Sequence, residues 1–130
     1  MSYEKDCFVC GTDNKRGLKL KYYCNANNDY CYADFIPKKY CQSYDGVFHG
    51  GLQCAIMDSA MVYALKVKKI IAVTVKMAIK FKKTVDNQKP LRVEARICDS
   101  KYKRGFYKLT SKIIQNCDLK TECCAVFKKI

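Results

Sequence analysis

Apolar and polar residues alternate with period two over most of this chain, and a single long apolar block breaks the alternation. Leu91, Val93, Ala95 and Ile97 set against Arg92, Glu94 and Arg96 predict a strand with one face buried and one face wet. The same pattern predicts strands over residues 18–22, 30–36, 107–113 and 123–127. The longest is expected over residues 71–83, with Val73, Val75, Met77, Ile79 and Phe81 on the helix side and Lys76, Lys80 and Lys82 in water. Turn-forming composition separates these runs at residues 25–29, at Asp86-Asn87-Gln88, and over residues 101–105 and 116–121, while Pro37 stops the second strand. Residues 1–6 read as a loose leader, and residues 38–48 as an irregular approach carrying Gln42, Ser43 and an Asp45-Gly46 turn.

That approach leads into the block. After Phe48-His49-Gly50-Gly51, the run from Leu52 to Leu65 keeps an i, i+4 row of Leu52, Ile56, Ala60 and Ala64, with Cys54, Ala55, Met57, Met61 and Val62 filling most of the remaining circumference. A helix apolar nearly all round is a buried helix. It is too short to cross a membrane, and it carries Asp58 in its interior. Two strands, one buried helix, then four strands in a meander predict a single α+β domain over residues 1–130, an antiparallel sheet curled around one long central helix.

Two features of the helix carry chemistry. An ionised carboxylate in an apolar interior costs several kcal/mol unless it is paired, so Asp58 is either capped by Ser59 or loop N–H groups or kept for a reaction. At the helix start, Gly50 and Gly51 leave backbone N–H groups unobstructed at the positive end of the dipole, a place to hold an oxygen gaining negative charge; a glycine pair also permits close packing. Eight residues at about 1.5 Å each put Asp58 roughly 12 Å along the axis from Gly50. If both act on one atom, the acid comes from a second copy of the chain.

His49-Gly50-Gly51 followed by Asp58, on a helix that precedes the strand containing Thr74, resembles the phenylacetate-type (PaaI-like) branch of the hotdog-fold thioesterases. Cys7-Phe8-Val9-Cys10-Gly11, with Asn14 and Gly17-Leu18, is similar to the N-terminal signature of one group in that branch, and the likeness runs from Cys7 to Phe127. The resemblance implies an acyl-CoA thioesterase, at least dimeric, with no cofactor. It implies that the Gly50 N–H, with Gly51 beside it, polarises the thioester carbonyl, that His49 is a positioning group, and that Asp58 of the neighbouring subunit is general base or nucleophile. His49 read alone serves as well to fix the loop that contains Gln42 and Ser43. Thr74 matches a Ser or Thr that holds the attacking water in some relatives, although simple alternation turns it away from the helix unless a bulge intervenes or the strand lies at a dimer edge. Where some relatives have an Asn six residues before the histidine, this chain has Ser43, with Gln42 next to it. A hotdog hydratase would need its Asp and His close together on one turn, whereas a non-catalytic hotdog that binds an acyl or aryl ligand shares the same signature.

Charge and cysteines add less. A net charge of +13 attracts anions. Most of the lysines fall on outward strand positions, which reads first as a solvated face. Nucleic acid would require a helix-turn-helix, RNP or zinc-finger pattern, and the sequence has none. A coenzyme A ester would be drawn to the same field, with Lys82, Lys83, Lys103 and Arg104 as phosphate contacts by turn position. No secretory signal or membrane span is evident, so a cytoplasmic chain with ten reduced cysteines is expected. Cys7 and Cys10 have the spacing of half a zinc site, or of a packed turn. A thioredoxin-like role lacks its βαβ context.

Overall fold

The computed structural model describes residues 4–99 and 103–130, so Met1 to Tyr3 of the expected leader and part of the turn expected at residues 101–105 lie outside the described residues. In chain order the elements are β1 (Tyr23–Asn25), β2 (Tyr30–Phe35), α1 (Gly50–Lys66), β3 (Ala72–Phe81), β4 (Leu91–Asp99), β5 (Phe106–Gln115) and β6 (Asp118–Lys129). The strands form one antiparallel sheet in the order β1-β2-β4-β5-β6-β3. The sheet curls around α1 as the alternation predicted.

The central strands leave room for the helix by using small residues on the inner face. Across the sheet, Cys31, Ala95, Ser111, Cys123 and Ile79 pair in one row, and Ala33, Val93, Ile113 and Thr121 in the next. Against these rows α1 buries Ile56, Met57, Ala60, Met61, Ala64 and Leu65 completely or nearly so. Each large apolar side chain so buried contributes about 1.5–3 kcal/mol relative to exposure, which makes the helix the largest single contributor to the core.

Several expectations change. β3 does not continue a meander into β4; it crosses to the far edge and pairs with β6, so only β4, β5 and β6 form the meander. β6, with 12 residues, is longer than β3, with 10. Its hairpin with β5 turns on Asn116 and Cys117 alone, both left-handed at φ 56° and 60°, the geometry that matches the twist of two flanking strands. Residues 18–22 alternate buried and exposed as expected, but before Tyr23 they are outside the sheet: the N–H groups of Leu18 and Leu20 donate to Phe8 O and Val9 O. Glu4 to Asp6 are tied into that N-terminal turn rather than loose, since Glu4 O, Lys5 O and Asp6 O all accept hydrogen bonds. Cys24 and Cys31, paired across β1 and β2, are joined as a disulfide, so the fully reduced reading does not hold for them. Among the described residues, no helix is long and apolar enough to cross a membrane.

Candidate active site

The helix start is held by a short closed loop. His49 N–H donates to Cys41 O at 2.9 Å, Phe48 N–H donates to Val85 O at 2.8 Å, and Phe48 is fully buried, so the chain enters α1 from a fixed direction. His49 caps the helix: its Nδ1 accepts the Gly51 N–H at 2.9 Å. A Cβ on Gly51 would lie 3.0 Å from His49 Cε1, so glycine there is what lets the ring fold back. The Gly51 N–H is therefore taken by the histidine. The Gly50 N–H makes no hydrogen bond among the described residues and points out at the positive end of the helix, beside the Phe81 ring. Gln42 and Ser43 are committed to the loop itself, with Gly46 N–H donating to Gln42 Oε1 at 3.3 Å and Ser43 N–H to Val47 O at 2.8 Å.

Asp58 is neither sealed in the core nor capped by Ser59. Gly51, Ala55, Asp58, Val62 and Lys66 form a stripe of α1 that the chain's own sheet leaves partly open. Asp58 Oδ1 accepts a hydrogen bond from Thr74 Oγ1. What makes this possible is a bulge in β3: Thr74 pairs with Phe127 and Lys76 with Val126, leaving Val75 as the extra residue. Before the bulge Ala72 and Thr74 face the helix, and after it Met77 and Ile79 do. Val73 and Val75, expected to face the helix, instead lie outward at 43% and 55% exposure. Asp58 opens on a cavity of about 260 Å³ that is also lined by Ser59, Val62, Tyr63, Lys66, Cys7 and Cys10. The Tyr22 hydroxyl donates to Ile56 O at 2.9 Å, and burial pushes its pKa up against the opposing effect of Ser59, with smaller upward contributions from Cys10, Cys7 and Asp58.

The basic residues are partly neutralised. Lys83 Nζ lies 2.9 Å from Asp118, and Lys82 Nζ 3.4 Å from Glu122. The Lys103 side chain is outside what the structure describes; Arg104 is exposed and left-handed.

Two residues at the site escaped the sequence. Gln53 is buried, its Nε2 donating to Phe48 O at 3.1 Å while its Oε1 accepts Thr121 Oγ1 at 2.6 Å, so the loop, the helix start and β6 are tied at one point. The Phe81 ring packs against Gly50 where a Cβ would stand, 3.3 Å from it. A glutamine inside an otherwise apolar helical run was the available signal for the first; nothing in the sequence placed Phe81 beside Gly50.

Residues 45–109, half of the chain, match the sequence profile of the family described as Thioesterase superfamily. Among solved structures, a thioesterase superfamily protein superposes with a TM-score of 0.87 at 12% identity, covering 95% of this chain and 60% of that one, so this chain spans about three fifths of its length. The Escherichia coli PaaI protein from the phenylacetic acid degradation operon gives 0.72 at 15% identity over 79% of this chain and 74% of its own. A hypothetical thioesterase from Streptococcus pneumoniae TIGR4, solved with coenzyme A, gives 0.72 at 14% identity over 77% and 80%. Among curated proteins none matches this sequence.

Proposed function

The chain belongs to the thioesterase superfamily and has its hotdog fold, and on that premise we propose that it hydrolyses acyl-coenzyme A thioesters at a site shared between two protomers. The observation that carries this reading is Asp58, a carboxylate on the open stripe of an otherwise buried helix, oriented by Thr74 and facing a cavity. An acid so placed contributes little to stability and is well placed to activate water.

In the proposed reaction the thioester carbonyl oxygen rests on the Gly50 N–H of one protomer, where the helix dipole favours the charge that develops. Asp58 of the partner takes a proton from water as the oxygen attacks the carbonyl carbon. The C–S bond then breaks, and the coenzyme A thiolate leaves with that proton. Direct attack by Asp58, giving an acyl-enzyme anhydride that water opens, uses the same atoms. His49 fixes the helix start that presents Gly50, and the Phe81 ring lies against that glycine. Two protomers are required because Gly50 and Asp58 of one helix stand roughly 12 Å apart along the axis. β3 supplies a surface for the pairing: it is an edge strand, with one side of its backbone unpaired among the described residues and exposed Val73 and Val75 beside the Asp58 stripe. The basic surface suits the phosphates of coenzyme A, the molecule held by the Streptococcus pneumoniae structure.

The test is a panel of short, long and aryl acyl-CoA esters followed by loss of thioester absorbance, which avoids interference from the protein's own thiols. Turnover is expected for the wild type, and Asp58→Asn is expected to lose at least about 100-fold while keeping its fold and assembly. An unchanged rate removes Asp58 from the mechanism, and binding of an ester with no turnover makes the protein a ligand carrier.

A further inference from the structure

Cys7 and Cys10 are left unused by that reaction, and the chain spends several constraints on them. Gly11 N–H donates to Cys7 O at 2.8 Å and Cys7 N–H to Glu4 O at 3.2 Å. A Cβ on Gly11 would lie 2.3 Å from Lys5 O and 2.4 Å from Cys7 N, so the turn closes only with glycine at that position. Asn14 holds it from outside, its Nδ2 donating to Asp6 O at 2.9 Å. The peptide groups of Val9, Cys10 and Gly11 and the Cys10 thiol surround the Cys7 side chain and favour its thiolate. Both side chains are only partly buried and line the cavity that holds Asp58. Among the described residues no third His, Cys, Asp or Glu joins them in a group able to hold a metal.

We propose that Cys7 and Cys10 form a thiol–disulfide exchange site for low-molecular-weight disulfides, opening on the Asp58 cavity, with Cys7 attacking and Cys10 resolving. Burial raises the Cys7 thiol, but the donors around its sulfur outweigh that and hold it below the ordinary thiol range. Burial dominates at Cys10 and raises it, even though the Tyr63 hydroxyl and Ser59 donate to its sulfur. The other ionisable groups facing the pair are Glu4, Asp58, Tyr22, Tyr63 and Lys66.

The exchange runs in two steps. Cys7 thiolate attacks one sulfur of the small disulfide, expelling the other half as a thiolate and leaving a mixed disulfide on Cys7. Cys10, losing its proton to solvent, then attacks Cys7 Sγ, releasing the second half as a thiolate and closing a Cys7–Cys10 bond. The small disulfide is reduced by two electrons and the cysteine pair is oxidised by two. Closure draws the Cys10 sulfur away from Tyr63 and Ser59, on the wall of the Asp58 cavity. The exchange itself stands whether or not that cavity hydrolyses thioesters.

The experiment uses the reduced full chain and 2-hydroxyethyl disulfide, a small neutral probe indifferent to the protein's charge. Aliquots taken over time are alkylated and digested with trypsin; cleavage after Lys5 and Lys15 isolates Cys7 and Cys10 in one peptide with no other cysteine. The wild-type peptide is expected to escape alkylation as an internal disulfide at least about ten-fold faster than exposed Cys98, Cys117 or Cys124 captures the probe. Cys10→Ser is expected to hold one half of the probe on Cys7, and Cys7→Ser to leave Cys10 as a free thiol. Faster capture at an exposed cysteine, or wild-type rates at Cys10 in Cys7→Ser, overturns the proposal. Should either variant fail to fold, the comparison within the wild-type chain decides it. No arm reads thioester turnover, so the result is separate from the fate of the hydrolase reading.

Discussion

A site divided between two chains makes a quantitative demand that mixing can check. Gly50→Pro deletes the proposed donor with little cost to the fold. A proline is tolerated at the first helical residue, whose N–H has no partner in the helix, and His49 already has the extended backbone, φ −59° and ψ 126°, that a residue before proline favours. The added ring atoms meet the exposed Phe81 side chain, 3.3 Å from an ideal Cβ, and that ring has room to turn. Loss of one such donor is expected to cost about 10²–10³ in kcat. Asp58→Asn removes the acid. When the two inactive chains are unfolded together in equal amounts and refolded, random pairing makes half of the dimers mixed. Each mixed dimer pairs the intact Gly50 of one chain with the intact Asp58 of the other at one of its two sites, so activity should return to about a quarter of the wild-type value. The assay is loss of thioester absorbance with the best substrate of the panel, with mixed dimers verified by native mass spectrometry. A mixture that stays at the average of its inactive parents, despite mixed dimers being present, refutes the divided site. Full activity of Gly50→Pro alone refutes the donor.

Three further outcomes follow from the packing. Thr121→Val leaves the buried Gln53 Oε1 without its donor and should lower stability by about 1–3 kcal/mol in urea unfolding followed by circular dichroism; a loss below about 0.5 kcal/mol would mean that the 2.6 Å bond does not tie the helix start to β6. Cys117→Gly should raise stability by about 1 kcal/mol, because a left-handed turn residue sheds its Cβ penalty, and a destabilised variant would contradict the assigned turn. Asp34 accepts hydrogen bonds from Arg92 at 2.8 and 2.9 Å, and this guanidinium chiefly holds its carboxyl below the usual range against a small burial effect. With the folded-state pKa depressed, its contribution is full above the unfolded value of about 3.9 and is lost as pH falls through the folded value. The gap between the urea midpoints of the wild type and Asp34→Asn should therefore narrow below about pH 4; the gap will be small, since the pair is largely exposed, and a gap that widens on acidification reverses the assigned sign.

How far the site was legible depended on how local its causes were. The helix could be placed from Gly50 onward because a glycine pair and the apolar run that follows it are neighbours in sequence, and the alternation of Leu91, Val93, Ala95 and Ile97 reports burial directly. Thr74 could not be oriented this way, because one inserted residue reverses the facing of everything before it, and whether Val75 is that residue depends on its partner strand β6. The 12 Å between Gly50 and Asp58 was likewise available from helix geometry, whereas the openness of the Asp58 stripe was not. A helix apolar on nearly every side looks fully enclosed until the sheet around it has a known extent.

Sequence alone determined which residues alternate, where the one helix begins, and that a carboxylate stands inside it, since propensity and periodicity act within a few residues. Only the tertiary structure decided that β3 lies at the sheet edge beside β6, that its bulge delivers Thr74 to Asp58, that His49 consumes the Gly51 N–H and leaves that of Gly50, and that Cys7 and Cys10 share a cavity with the acid. Each of these rests on partners distant in the chain or on which face of an element stays uncovered, and period and propensity carry no information about either.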